Sequence, residues 1–119
     1  MILDTNAVSA WADKDELLAQ RLPATHLLAL PVIVIGEYRY GVQRFETWLE
    51  QVIRVTRVLN VTLATTSFYA DLRSMLQRKG KPIPASDAWI AALALQHRLP
   101  VLSRDTHFDV VDGLTRISW

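Results

Sequence analysis

The chain has 119 residues, half of them hydrophobic, with thirteen basic and twelve acidic side chains, a net charge of +1 and no cysteine. That length buries one core but has no room for a second domain of ordinary size, so residues 1–119 are expected to form one domain. Disulfide staples and thiolate zinc sites are excluded together, the mild charge leaves any attraction for a polyanion to a local basic surface, and no apolar segment is long enough to span a bilayer. With no basic leader ahead of the first apolar run, a cytoplasmic protein without a membrane partner is expected.

Met1 to Leu3 is a short apolar run halted by Asp4-Thr5-Asn6, whose side chains favour turns and caps, so a buried first strand ends at Asp4. From Asp13 to Leu22 a helix is expected: Asp13 stands three residues before Glu16 in capping-box spacing, and Leu17, Leu18 and Leu22 share a face. Asp13, Asp15 and Glu16 read as its helix-start charges. Leu27 to Leu30 forms a second buried strand, ended by Pro31. Val32 to Gln43 carries two conflicting signals. Val32-Ile33-Val34-Ile35 is β-branched, yet Val34, Glu37, Tyr38 and Gly41 recur at helical spacing, and Pro31 suits the start of a helix. Helix is the reading adopted.

Phe45, Trp48, Leu49, Val52 and Ile53 define an amphipathic helix running towards Val58, and Asn60 to Leu63 an edge strand. Thr66 to Lys79 gives another helix, with Phe68, Leu72 and Met75 or Leu76 inward and Gly80 as its stop. Lys81-Pro82-Ile83-Pro84 forces an extended linker. Ala88 to Leu95 is apolar almost all round, so that helix is buried, with Ser86 or Asp87 at its N-terminus. Val101 and Leu102 make a strand ending at Ser103-Arg104-Asp105, and Leu114 to Trp119 contains a last short strand. Alternating strands and helices imply an α/β fold with a mainly parallel central sheet flanked by helices.

Asp4 and Asp105 each follow an apolar strand at its carboxyl end, the edge where open α/β sheets place ligands. Asp87 opens a buried helix, and Glu37 interrupts a largely apolar one. Each acid also has an ordinary reading. Asp87 serves as a helix cap worth about 1 kcal/mol, Asp4 as a turn residue, Glu37 as an exposed helix glutamate, and Asp105 as the cap of a turn around Thr106 to Asp109. If the four converge, their repulsion raises their pKa values and destabilises the fold unless a cation sits among them. Carboxylate oxygens, with no cysteine and no paired histidines, favour Mg²⁺ or Mn²⁺ over zinc. His26, His97 and His107 lack ligand-like spacing; His107 could approach the site from its loop, but a surface histidine packed near Phe108 is the favoured reading. Trp48 and Trp89 read as core or interface residues rather than base-stacking platforms.

Four ordered blocks carry a family resemblance: Ile2-Leu3-Asp4-Thr5-Asn6, Val34 to Gly41 around Glu37, Ile83 to Ala92 around Asp87, and Leu102-Ser103-Arg104-Asp105-Thr106-His107-Phe108. In these the chain resembles the PIN-domain nucleases, and within them the VapC-type toxins of bacterial toxin–antitoxin pairs. The resemblance spans nearly the whole chain. It implies a single PIN-like domain with metal-dependent endoribonuclease activity, in which Asp4, Glu37 and Asp87 bind Mg²⁺ or Mn²⁺ and Asp105 is the fourth acid. Asn6 and Ser103 match polar positions that orient those carboxylates. It further implies an RNA substrate, an antitoxin that covers the cleft, and a homodimer. Arg73, Arg78, Lys79 and Lys81, just before Asp87, are candidate phosphate contacts, with a solvated helix end as the alternative.

Three rival readings fit the pattern less well. A receiver-like phosphoacceptor domain wants a mid-chain aspartate and a late lysine, whereas Asn60 stands mid-chain and no lysine follows Lys81. A haloacid-dehalogenase-like phosphatase wants Asp or Thr where Asn6 stands. An inactive PIN-like binding module is opposed by the presence of all four acids.

Overall fold

Five short strands, β1 (Ile2–Leu3), β2 (Ala29–Pro31), β3 (Arg57–Leu59), β4 (Val101–Leu102) and β5 (Arg116–Ile117), form one sheet in the order β3-β2-β1-β4-β5. The computed structural model describes residues 1–23, 27–41 and 46–119; the expectations for His26, Gln43 and Phe45 lie outside the described residues. Every strand pair is parallel, with Ile2 opposite both Ala29 and Val101, and Leu3 opposite Leu102. Ile2, Leu3, Val101 and Leu102 are fully buried, which explains why these strands are continuous apolar runs without alternation: both faces of the sheet are covered.

Six helices, α1 (Thr5–Ala12), α2 (Glu16–Ala19), α3 (Val32–Gly41), α4 (Glu46–Val55), α5 (Leu63–Lys79) and α6 (Ala85–His97), are described, with a 3₁₀ turn over Thr106–Val110. From β1 the chain moves outward through β2 to β3, then crosses back to place β4 on the other side of β1. The order therefore reverses between β1 and β4. At such a switch point the connections leave in opposite directions and open a crevice beyond the carboxyl ends of the strands. Asp4 and the segment from Ser103 to Asp105 stand at that edge.

Several boundaries differ from the sequence reading. A helix was expected only from Asp13, but α1 begins directly after β1 because the Asp4 side chain caps it. Asp13 ends α1, and Asp15 caps the short α2 through the backbone N–H groups of Leu17 and Leu18. Leu18 is buried, but Leu17 is exposed, so the expected apolar face is narrower. Helix α4 stops at Val55, and the edge strand is Arg57–Leu59 rather than Asn60 to Leu63. Thr56 Oγ1 donates to the Val52 carbonyl at 2.8 Å, satisfying an orphan acceptor at the helix end, and pairing with β2 takes over from Arg57.

Helix α5 starts three residues earlier than expected, at Leu63. There Thr62 and buried Thr65 form a reciprocal capping box, and Thr65 also donates to Gln96 of α6 at 2.6 Å. Leu72 and Leu76 are its buried face, whereas Phe68 remains partly exposed. Gly80 ends it in the left-handed region, at φ +68°. Helix α6 begins at Ala85, with Pro84 as the cap position, so Ser86 and Asp87 lie inside the first turn instead of capping it. Trp48 packs edge-on to Trp11 at 6.0 Å, and Trp89 stacks on Tyr69 at 3.7 Å, the packing role expected for both tryptophans. Among the described residues no helix is long and apolar enough to cross a membrane.

Candidate functional site

Asp4 is only 4% exposed, and its two oxygens have separate tasks. Oδ1 accepts the Thr5 backbone N–H at 2.8 Å, starting α1, and Oδ2 accepts the Ser103 hydroxyl at 2.6 Å. Ser103 is fully buried, and its Oγ also accepts from the Asp105 N–H at 2.9 Å and from Asn6 Nδ2 at 3.2 Å. One donated and two accepted bonds exhaust a hydroxyl, so this atom locks the ends of β1 and β4 together. The second amide atom of Asn6, Oδ1, accepts the Arg104 N–H at 3.3 Å.

Asp105 caps the 3₁₀ turn by accepting the His107 N–H at 2.9 Å. The turn brings His107 back over the cleft, where its Nδ1 lies 2.9 Å from Asp87 Oδ2 and 3.0 Å from Asp105 Oδ1. With carboxylate oxygens of both acids in reach, a proton on Nδ1 is the tautomer that satisfies these contacts. Arg116 braces the same turn, with Nε 2.7 Å from Asp109 Oδ1 and one amino group donating to the Ser103 carbonyl at 3.1 Å. Glu37 projects from α3, and its Oε2 accepts the Thr5 hydroxyl at 2.5 Å.

Asp4, Glu37, Asp87 and Asp105 thus line one cleft of about 570 Å³. At its edge Asp87, Asp105 and His107 bring one donor atom each within 4.8 Å of one another. Burial pushes the Asp4 carboxyl above its ordinary range; the bonds from Ser103 and Thr5 oppose the rise, and Asp87 and Asp105 add to it by repulsion. Asp87 is pushed up by burial, against the bond from His107, and repulsion from Asp105 and Glu37 reinforces the rise. His107 is raised chiefly by its bond to Asp87. A cation among these acids would relieve that repulsion, and an oxygen-dominated donor set suits a hard divalent one.

All four acids foreseen from the sequence, and Asn6 and Ser103 with them, come together here. The four basic residues foreseen as phosphate contacts do not line this cleft. Lys79 pairs with Asp112 at 2.5 Å, and Arg73 donates to Tyr69 Oη at 2.8 Å, because α5 directs its last turns towards the α6 flank and the loop after the 3₁₀ turn. A separate cavity of about 490 Å³ beside Arg73, Gln77 and Ile83 contains none of the acids. His107 is half-exposed, as a surface histidine should be, but it binds two of the acids instead of only packing near Phe108. Thr5 and Arg104, not among the expected site residues, also line the cleft. Their adjacency to Asp4 and Asp105 was the available signal, since residues flanking a strand end share its rim.

A family model described as "PIN domain" matches residues 1–114. VapC ribonuclease Y4jK of Sinorhizobium fredii is 32% identical over 122 residues, covering 89% of this chain and 87% of that protein. Ribonuclease VapC5 of Mycobacterium tuberculosis is 30% identical, covering 98% of this chain and 90% of that protein. The crystal structure of VapBC-5 from Mycobacterium tuberculosis, a member of the VapBC family of toxin-antitoxin systems, matches with a TM-score of 0.73 at 29% identity, over 98% of this chain and 94% of that one.

Proposed function

Because this chain belongs to the PIN-domain family, we propose that it is a divalent-metal-dependent endoribonuclease, the toxin of a toxin–antitoxin pair, that cuts RNA in the cleft of Asp4, Glu37, Asp87 and Asp105. The observation that carries this reading is the meeting of four acids from distant segments at the point where the strand order reverses. Their carboxylates would hold Mg²⁺ or Mn²⁺, as hard oxygen donors do. Such a cation supplies Lewis acidity towards water and positive charge towards a phosphodiester.

The protein's own contribution is orientation. Ser103 holds Asp4, Thr5 holds Glu37, and His107 holds Asp87 and Asp105, so the acidic oxygens face the cleft before substrate arrives. Preset geometry of this kind saves reorganisation during the reaction. On this reading the enzyme works in the cytoplasm, with an antitoxin as protein partner and a homodimer as the assembly. The toxin–antitoxin assignment of VapBC-5 supports the first of these partners. The rival phosphoacceptor reading wants a lysine at the site, and among the described lining residues the one cation is Arg104.

The deciding experiment is cleavage of structured and unstructured RNA with Mg²⁺ or Mn²⁺ by wild type, Asp4→Asn and Asp87→Asn. Cutting should fall by about 100-fold or more in both variants with folding retained. Undiminished cleavage by both would remove these acids from the mechanism.

A further inference from the structure

Six carboxylates and a single arginine line the cleft among its described residues. A divalent cation offsets only part of that charge, so a polyanionic strand still meets repulsion beyond the bond that is cut. Something of opposite sign must hold the neighbouring phosphate. Arg104 is set at the rim by its backbone N–H bond to Asn6, and its guanidinium carbon sits 4.6 Å from the centroid of the Trp119 ring. Its nearest acid is Asp15, at 3.7 Å, beyond hydrogen-bond range. Arg104 is the one Lys or Arg among the described lining residues, while Arg39, Arg116 and Lys79 are paired elsewhere, with Glu46, Asp109 and Asp112. The Arg104 fork is thus half-exposed, oriented and undersubscribed in hydrogen bonds.

We propose that Arg104, held over the Trp119 ring, binds the RNA phosphate next to the scissile one, with Trp119 as its positioning residue. This rests on the ribonuclease reading above. A planar guanidinium grips a phosphate through two parallel N–H bonds, and an aromatic face fixes the fork beforehand, so less side-chain freedom is lost on binding. The loose contact with Asp15 is exchanged for the phosphate oxygens.

The test compares wild type, R104Q, R104K and W119L in two assays. One is steady-state RNA cleavage with Mg²⁺; the other is binding of an uncleavable 2′-O-methyl RNA across a salt series, with melting temperature confirming the fold. R104Q should raise KM and Kd about tenfold with kcat within about twofold, and should reduce the salt slope by about 0.7. R104K should restore the slope but only part of the affinity, and W119L should weaken binding with the slope kept. Unchanged KM, Kd and slope in R104Q, or a fall in kcat alone, would overturn this inference and leave the nuclease reading standing. Wild type that neither cuts nor binds RNA would overturn both. Should R104Q not fold, an R104K enzyme with wild-type KM and Kd overturns it as well.

Discussion

Ser103 Oγ donates to Asp4 Oδ2 at 2.6 Å across a sequence separation of 99 residues, and both groups are buried. This one bond ties the carboxyl end of β1 to that of β4, and through the Asp105 N–H it sets the turn that carries two more members of the site.

Ser103→Ala leaves Asp4 Oδ2, the Asp105 N–H and Asn6 Nδ2 without this partner. A buried polar group left unsatisfied costs about 1–3 kcal/mol, so the variant should unfold at lower denaturant concentration. Because the carboxylate loses its orientation, the metal concentration for half-maximal cleavage should rise by about 10- to 100-fold. Denaturant melts and Mn²⁺ titrations measure the two effects separately, and a variant matching wild type in both would show that this hydroxyl holds nothing of consequence.

The raised carboxyls predict a linked dependence on pH and metal. Asp4 and Asp87 bind a proton more tightly in the folded chain than at the ordinary carboxylate value of 3.8. Their stabilising share is therefore full below that value and is lost as pH rises through their folded pKa values. Metal binds the ionised forms, so Mn²⁺ should raise the melting temperature more at pH 7.5 than at pH 5. An equal shift at both pH values would contradict the coupling of these acids to the cation.

Gly80 closes α5 at φ +68°, with no neighbouring atom within 4 Å of where a Cβ would stand. Gly80→Ala therefore isolates the backbone term and should cost about 1 kcal/mol, read as a lower denaturation midpoint with cleavage at saturating RNA unchanged. A neutral substitution would mean that the turn relaxes out of the left-handed region.

Much of the scaffold was legible because its signals are local. Ile2-Leu3 before Asp4, Val101-Leu102 before Ser103, and the apolar run from Ala88 each announce their element and the acid beside it. The β-branched start of α3 was read correctly against propensity because Glu37 and Tyr38 keep helical spacing with Val34. Helix α1 was missed because Asp4 was read as the end of a strand, when it is also the start of a helix. The edge strand was shifted by a few residues because its position is set by pairing with β2, which no short window contains.

By itself the amino-acid sequence determined the alternation of elements, since periodicity, caps and strand ends are written in neighbouring residues, and it marked Asp4, Glu37, Asp87 and Asp105 through their places in four ordered motif blocks. Sheet order was decided only in three dimensions. It brought Ser103 to Asp4, His107 to Asp87 and Arg104 to Trp119, while Lys79 at the end of α5 paired with Asp112. Such contacts depend on which strands lie side by side, and that is the outcome of packing the whole core.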